Sequence, residues 1–267
     1  MKNLELKTDR MLAHVENGVG WITFNQPQKR NAVSYDMWLA IPEIVQAFNS
    51  DDDVRVVVMK GAGDRAFVSG ADISEFEDKR SAKDAIEKYE QATSAANAAL
   101  KALPKPLIAM IRGYCIGGGL GLAITADLRI AADDGQFAIP AAKLGLGYAY
   151  RGIKELSNVV GPSFAKEIFF TARRFDAQEA RVMGLVNRVV PAAELEPTVR
   201  ALAELIAGNA PLTVKAAKAA INEGVKDPEE RNLPAIDAMV ARCFASEDYV
   251  EGRRAFMEKR PPRFNGR

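Results

Sequence analysis

Histidine is nearly missing from this chain and cysteine is scarce: 267 residues hold one histidine, His14, and two cysteines, Cys115 and Cys243. A lone histidine with no motif around it reads as structural. Two distant cysteines, without metal-ligand spacing or a second pair, speak against a zinc site or a disulfide framework and read as reduced, buried thiols. Net charge is also lacking, with 36 Lys and Arg against 35 Asp and Glu for a formal +1. No global field then recruits nucleic acid or an anionic membrane, and any anionic ligand must be held locally. No long uncharged apolar run occurs. The most apolar window, 107–126, contains Arg112 and is broken by glycines, which argues against a membrane span. The opening "MKNLELKTDRMLAHV" has charges every few residues and lacks the apolar core of an export signal, so a cytoplasmic location is expected. What is present is an ordinary globular composition, 48% hydrophobic and 27% charged. It suits one large domain, or one domain with a helical appendage.

The first half alternates strand and helix signals. "MLAHVENGVGWITFN" reads as a hairpin turning at Asn17 and Gly18. Helical spacing of Met37, Ile41, Ile44, Val45 and Phe48 follows, with Ser34 as N-cap. "VRVVVMKG" (54–61) and "KPLIAMIRG" (105–113) read as buried strands, with a polar helix from about Ala82 to Ala102 between them. Strands separated by helices predict parallel crossovers and an α/β architecture. From Ser163 onward the pattern is almost all helical, with one strand-like piece at 186–190 and helices expected over 192–208, 211–224 and 229–245. That helical third suggests a lid or an oligomer-forming appendage.

The densest signal is "GYCIGGGLGLAITAD" (113–127), with four glycines between 117 and 121 at a strand-to-helix turn. A phosphate cradle fits poorly. Leu122 stands where the third glycine of G-x-G-x-x-G would follow Gly117 and Gly119, and no G-K-[ST] ending supplies a lysine. Close helix-to-sheet packing explains one glycine. For four, main-chain donors at a helix start, aimed at a developing oxyanion, compete with that reading. "AFVSGADISEF" (66–76) offers a second donor near Gly70 and Ala71.

Five segments carry a resemblance, in order along the chain: "NQPQKRNAVSYDMW" (25–38), "AFVSGADISEF" (66–76), the run 105–147, "FTARRFDAQEARVMGLVNRVV" (170–190) and "ASEDYVEGRRAFMEKRPPRF" (245–264). The chain resembles the crotonase superfamily of enoyl-CoA hydratases and isomerases over nearly its whole length. The resemblance implies an α/β spiral of ββα units over 1–192, with a helical trimerisation or lid region over 193–267. It also implies a homotrimer or dimer of trimers and an acyl-CoA substrate, with coenzyme A as part of the substrate and no separate cofactor or metal. It places the oxyanion hole at the amides of Ala71 and Gly118. It places substrate contacts at Arg30, Ala32, Ala71, Asp72, Ile73, Ser74, Gly118, Gly121 and Ala141. Phe256 and Lys259 would come from a neighbouring subunit.

One departure matters. Enoyl-CoA hydratases carry two glutamates that position and deprotonate water, at the positions that here are Gly121 and Ala141. Acid-base groups contribute about 10² to 10⁴ in rate, so their loss should cripple hydration and isomerisation alike. Loss of CO₂ from a malonyl-type thioester needs only an enolate sink. "KLGLGYAYRGIKEL" (143–156) is similar to the methylmalonyl-CoA decarboxylase branch, which implies that Tyr148 orients the substrate carboxylate. That branch has a histidine at the position of Ala71, which this chain lacks. Tyr150, Arg151 and Glu155 are further polar candidates. The expected activity is therefore that of an acyl-CoA lyase, decarboxylating or otherwise independent of the glutamate pair. Enoyl-CoA hydratase or isomerase activity is one alternative and a non-catalytic CoA-binding scaffold another.

Overall fold

A computed structural model of the chain describes residues 1–72 and 83–267. In chain order it contains β1 (Lys2–Asn3), β2 (Met11–Glu16), β3 (Val19–Phe24), α1 (Tyr35–Ser50), β4 (Val56–Gly61), β5 (Ala66–Val68) and α2 (Lys83–Ala102). Then come β6 (Leu107–Ile111), β7 (Tyr114–Ile116), α3 (Gly118–Ala123), β8 (Leu128–Ala132), β9 (Gln136–Ala138), α4 (Tyr150–Thr171) and β10 (Phe175–Asp176). The remainder is α5 (Ala177–Val182), β11 (Arg188–Val190), α6 (Leu195–Ala207), α7 (Pro211–Gly224), α8 (Leu233–Phe244) and α9 (Glu247–Met257). This is a mixed α/β fold with a helical C-terminal region, as the sequence predicts.

Two sheets organise it. The first runs β1-β2-β3-β4-β6-β8-β11, antiparallel through the hairpin and parallel from β3 onward. The second runs β10-β9-β7-β5, with β5, β7 and β9 mutually parallel. The strand expected over 105–113 is β6, Leu107–Ile111, in the first sheet, and β7, in the second, begins at Tyr114. Gly113 makes the change of sheet. It has φ +60°, and a β-carbon on it would fall 2.1 Å from Arg65 O. Only glycine permits both.

The main core lies between the sheets and α1, around Phe24, Met37, Phe48, Phe67, Leu100 and Phe137. On the other face of the first sheet, Leu195, Val199 and Ala203 of α6 cover Val58, Ile108 and Ile130. Lys218 ties α7 to the same sheet, donating to Asp127 Oδ2 at 2.7 Å and Lys105 O at 3.0 Å. Among the described residues, no helix is long and apolar enough to cross a membrane. Cys115 is buried and unpaired as expected, but Cys243 is only half-buried, which corrects the expectation of two buried thiols. It sits on α8, whose apolar face lines a surface groove rather than the core.

Candidate active site

Three parallel strands end at the same edge of the second sheet. β5 delivers Ser69, Gly70 and Ala71, β7 delivers Gly117 and Gly118, and β9 delivers Pro140 and Ala141. The carboxyl ends of parallel strands are where α/β folds bind ligands, because the loops there are free to carry polar groups.

The loop after β5 is held by one bridge. Val33 N–H donates to Gly70 O at 2.8 Å, and Asp72 N–H donates to Val33 O at 3.0 Å. With both neighbours committed to Val33, the N–H of Ala71 is turned to the opposite side. Gly117 donates to Ala138 O at 2.8 Å with φ +55°, and α3 starts immediately after it. Gly118 is the first helical residue, so its N–H has no intrahelical acceptor. Neither Ala71 N–H nor Gly118 N–H donates a hydrogen bond among the described residues. The two are neighbours: a β-carbon on Gly118 would lie 3.9 Å from Ala71 N, and its nearest surroundings are main chain. Two amides without an acceptor among the described residues therefore lie side by side at the start of a short helix.

The four glycines divide by physical cause. Gly117 is required by its positive φ, and Gly119 because a β-carbon there would fall 2.1 Å from Val68 O. Gly118 keeps the cleft clear. Gly121 meets nothing within 4 Å among the described residues. Ala141 is buried in the 3-10 turn Pro140–Lys143, and its carbonyl accepts from Leu144 and Leu146, closing the loop that leads to Tyr148.

Tyr148 is half-buried, with its ring edge-on to Phe169 at 5.1 Å. Its hydroxyl makes no hydrogen bond among the described residues. Burial raises its pKa above the usual phenol value, so it stays a protonated donor at neutral pH. Tyr150 is exposed, and Arg151 pairs with Glu155 one turn on, as a surface charge at a helix start should. Cys115, one residue before Ile116, is fully buried, and burial raises its thiol far above the usual range, which removes it as a nucleophile.

Of the residues tied to substrate binding, Asp72 is buried and paired with Lys29 at 2.7 Å. Ala32 is buried, and its carbonyl accepts from Gln26 Nε2. Ile73 and Ser74 lie outside the described residues, as does Ala82, the expected helix start. Phe256 and Lys259 are exposed on and just after α9. Within one chain Phe256 lines a groove with α7 and α8 residues, away from the amide pair. Arg30 lies 5.0 Å over the Tyr114 ring, and Arg174 lies 5.2 Å from the same ring. Neither arginine has an acidic partner among the described residues. The sequence reading missed Arg174 and Tyr114. The stretch "TARRFD" offers no periodic signal, and Tyr114 sits inside an apolar window.

Arg30 and Asn31 are both in the left-handed region, at φ +54° and +55°. Asn31, fully buried, fixes them: its Oδ1 accepts from Gln26 N at 2.9 Å, and its Nδ2 donates to Ala62 O and Ala66 O at 2.9 and 2.8 Å. Replacing Asn31 with alanine strands those three groups and worsens a strained backbone. The expected cost is about 3–5 kcal/mol by urea denaturation.

Residues 14–267 match the enoyl-CoA hydratase/isomerase family. A short-chain-enoyl-CoA hydratase of Clostridium acetobutylicum is 34% identical over 255 residues, covering 96% of this chain and 97% of that protein. A crotonyl-CoA hydratase of Syntrophomonas wolfei is 36% identical over 256 residues, covering 96% and 98%. The crystal structure of an enoyl-CoA hydratase/carnithine racemase from Magnetospirillum magneticum superposes with a TM-score of 0.90 at 35% identity, covering 98% and 97%.

Proposed function

The chain belongs to the enoyl-CoA hydratase/isomerase family, and from that premise we propose that it is a lyase decarboxylating a malonyl-type acyl-CoA thioester through an enolate. The observation that carries the reading is a pair of free main-chain donors, Ala71 and Gly118, at a strand edge where the adjoining positions 121 and 141 hold no acid. The relatives named above are hydratases, so the choice of reaction rests on this chain's own residues.

The thioester oxygen accepts from both amides. The bond from the α-carbon to the carboxylate breaks, its electron pair becomes the enolate double bond, and the carbonyl oxygen takes the negative charge. CO₂ leaves, and a solvent proton adds at the α-carbon to give the shortened acyl-CoA. Each donor aimed at such an oxyanion is worth about 3 kcal/mol. The Tyr148 hydroxyl orients the departing carboxylate. Arg30 and Arg174, which have no acidic partner among the described residues, meet the phosphates of coenzyme A in this reading, since guanidinium groups bind phosphate in bidentate fashion. The reaction as written draws on no metal or organic cofactor. The same proposal includes a trimer or dimer of trimers, in which the exposed Phe256 and Lys259 cover a neighbour's coenzyme A, and a cytoplasmic setting, where Cys115 and Cys243 stay reduced.

The deciding experiment supplies purified protein with methylmalonyl-CoA and crotonyl-CoA separately. CO₂ release from the first without hydration of the second is expected. Prompt hydration of crotonyl-CoA would favour the activity named for the relatives, and turnover of neither would favour a binding scaffold. Tyr148→Phe removes one hydrogen bond to a charged group, worth about 1.5–3 kcal/mol, and should lower kcat/KM roughly 10- to 100-fold. The pH profile is a further check. With no glutamate to titrate and Tyr148 held as a neutral donor beyond its usual pKa, the rate should stay flat from about pH 5 to 9 rather than follow a bell.

A further inference from the structure

The two donor amides are not held in the same way. A peptide unit is planar and trans, so its C=O and its N–H point in opposite directions, and whatever binds the oxygen also aims the N–H. In the 117–118 peptide, Gly117 O accepts from Gly121 N–H at 3.0 Å, a bond made within α3. That donor is set by its own helix. In the 70–71 peptide, Gly70 O accepts from Val33 N–H at 2.8 Å, and Val33 belongs to a different loop. Gly70 has φ +115°, a conformation natural only to glycine, and the same freedom lets the 70–71 peptide turn unless it is held from outside.

The segment 29–33 does the holding. Ser69 N–H donates to Arg30 O at 3.1 Å and Asp72 N–H to Val33 O at 3.0 Å, so 69–72 lies along 30–33. An ion pair closes the arrangement. Lys29 Nζ donates to Asp72 Oδ2 at 2.7 Å, which joins the start of one segment to the residue directly after Ala71. The Asp72 side chain is only 5% exposed, against 43% for Lys29. A carboxylate so deeply buried depends on its cation far more than a surface pair does, and it presents little surface to a substrate. The buried Asn31 fastens the same segment to Ala62 O and Ala66 O, so the pair ties Ala71 to the body of the fold.

We infer that Lys29 and Asp72 are positioning residues: their ion pair fixes the 70–71 peptide so that the Ala71 N–H meets the thioester oxygen, while Gly118 needs no such support. The inference rests on the reading of Ala71 and Gly118 as the donors to that oxygen, and it takes Asp72 as a brace for the donor and not as a contact to coenzyme A.

The test uses the full chain with Lys29→Met, Asp72→Ala and the double variant, each checked for fold by circular dichroism and Tm. Acetyl-CoA carrying ¹³C at the thioester carbonyl is bound to each, and its carbonyl band is followed by difference infrared spectroscopy. In the unaltered protein the band should lie below that of free acetyl-CoA. Each variant should lose about half of that displacement, the share of one donor of two. The double variant should lose no more than either single one, because all three remove one brace. For CO₂ release from methylmalonyl-CoA, kcat should fall about 10- to 100-fold, as for a misaligned catalytic group, with KM changed less than about threefold. A displacement that all three variants keep in full overturns the inference and leaves the donors standing. Losses that add in the double variant also overturn it, since the two residues then act separately. No displacement in the unaltered protein overturns the donor reading itself, and the inference with it. If Lys29→Met, which strands a buried carboxylate, does not fold, Asp72→Ala decides alone. The infrared measurement needs no turnover, so it decides equally where methylmalonyl-CoA is not decarboxylated.

Discussion

Gly118→Pro should lower kcat for CO₂ release by about 10² to 10³, the loss seen when one oxyanion donor is removed, while the fold persists. Proline usually wrecks a helix, but Gly118 is the first residue of α3, where no intrahelical bond uses its N–H and the fixed φ of proline suits the turn. The residue before a proline is kept out of the α region. Gly117, at φ +55° and ψ −116°, is not in that region, and as glycine it has no β-carbon to clash with the ring. The ring would take the place of the N–H, and a β-carbon at 118 would have no neighbour among the described residues nearer than 3.9 Å. The variant therefore removes one donor with little demand on the core. Circular dichroism and Tm should match the unaltered protein, and KM should rise less than kcat falls, because a developing charge is stabilised more than a ground-state carbonyl. Full activity in a folded Gly118→Pro protein would remove Gly118 from the mechanism. Gly119→Ala is the structural contrast: its β-carbon would overlap Val68 O, so it should lose stability first and activity only as a consequence.

The Gly117–Gly118 loop was legible as a strand-to-helix turn, and the loop after β5 as the end of a short strand, because glycines and an apolar run before them are local signals. Their meeting was not legible from those signals. It depends on β5 and β7 pairing in parallel within a small second sheet, and strands of three residues are too short for an alternating pattern to declare itself. The reading of 105–113 as one strand holds as β6, but that Gly113 then turns the chain into a second sheet was not legible. The buried helix after the glycines, the early hairpin and the helical final third were readable because each rests on periodicity or on a turn pair. The packing of α6 on the outer face of the first sheet was less so: its apolar stripe specifies a buried face but not which surface buries it. Arg174 escaped for a different reason. An arginine is recruited by the ring it stacks on, and nothing local links it to Tyr114.

Placing glutamate at both 121 and 141 should reverse the preference between substrates. Hydration of an enoyl thioester needs groups that hold and deprotonate water, and such groups contribute about 10² to 10⁴, so crotonyl-CoA hydration should rise by that factor over the unaltered chain. A β-carbon at 121 meets nothing within 4 Å among the described residues, and an acid in the first turns of α3 is favoured by the helix dipole. Position 141 is buried, so a carboxyl there should titrate high, and with its partner should give the bell-shaped pH profile that the unaltered protein lacks. Decarboxylation should fall at the same time. A carboxylate about 4 Å from the substrate carboxylate costs about 4 kcal/mol at the effective dielectric of a protein site, close to a thousandfold in binding. Loss of the enoyl absorbance and release of CO₂, followed on the same preparation, read the two effects separately. If the unaltered chain already hydrates crotonyl-CoA as fast as the double variant, water is being activated by some other group, and the acid-free character of Gly121 and Ala141 no longer distinguishes one reaction from the other. If hydration rises but decarboxylation does not fall, the substrate carboxylate points away from α3, and the partner assigned to it, the Tyr148 hydroxyl, must be sought on another side of the cleft.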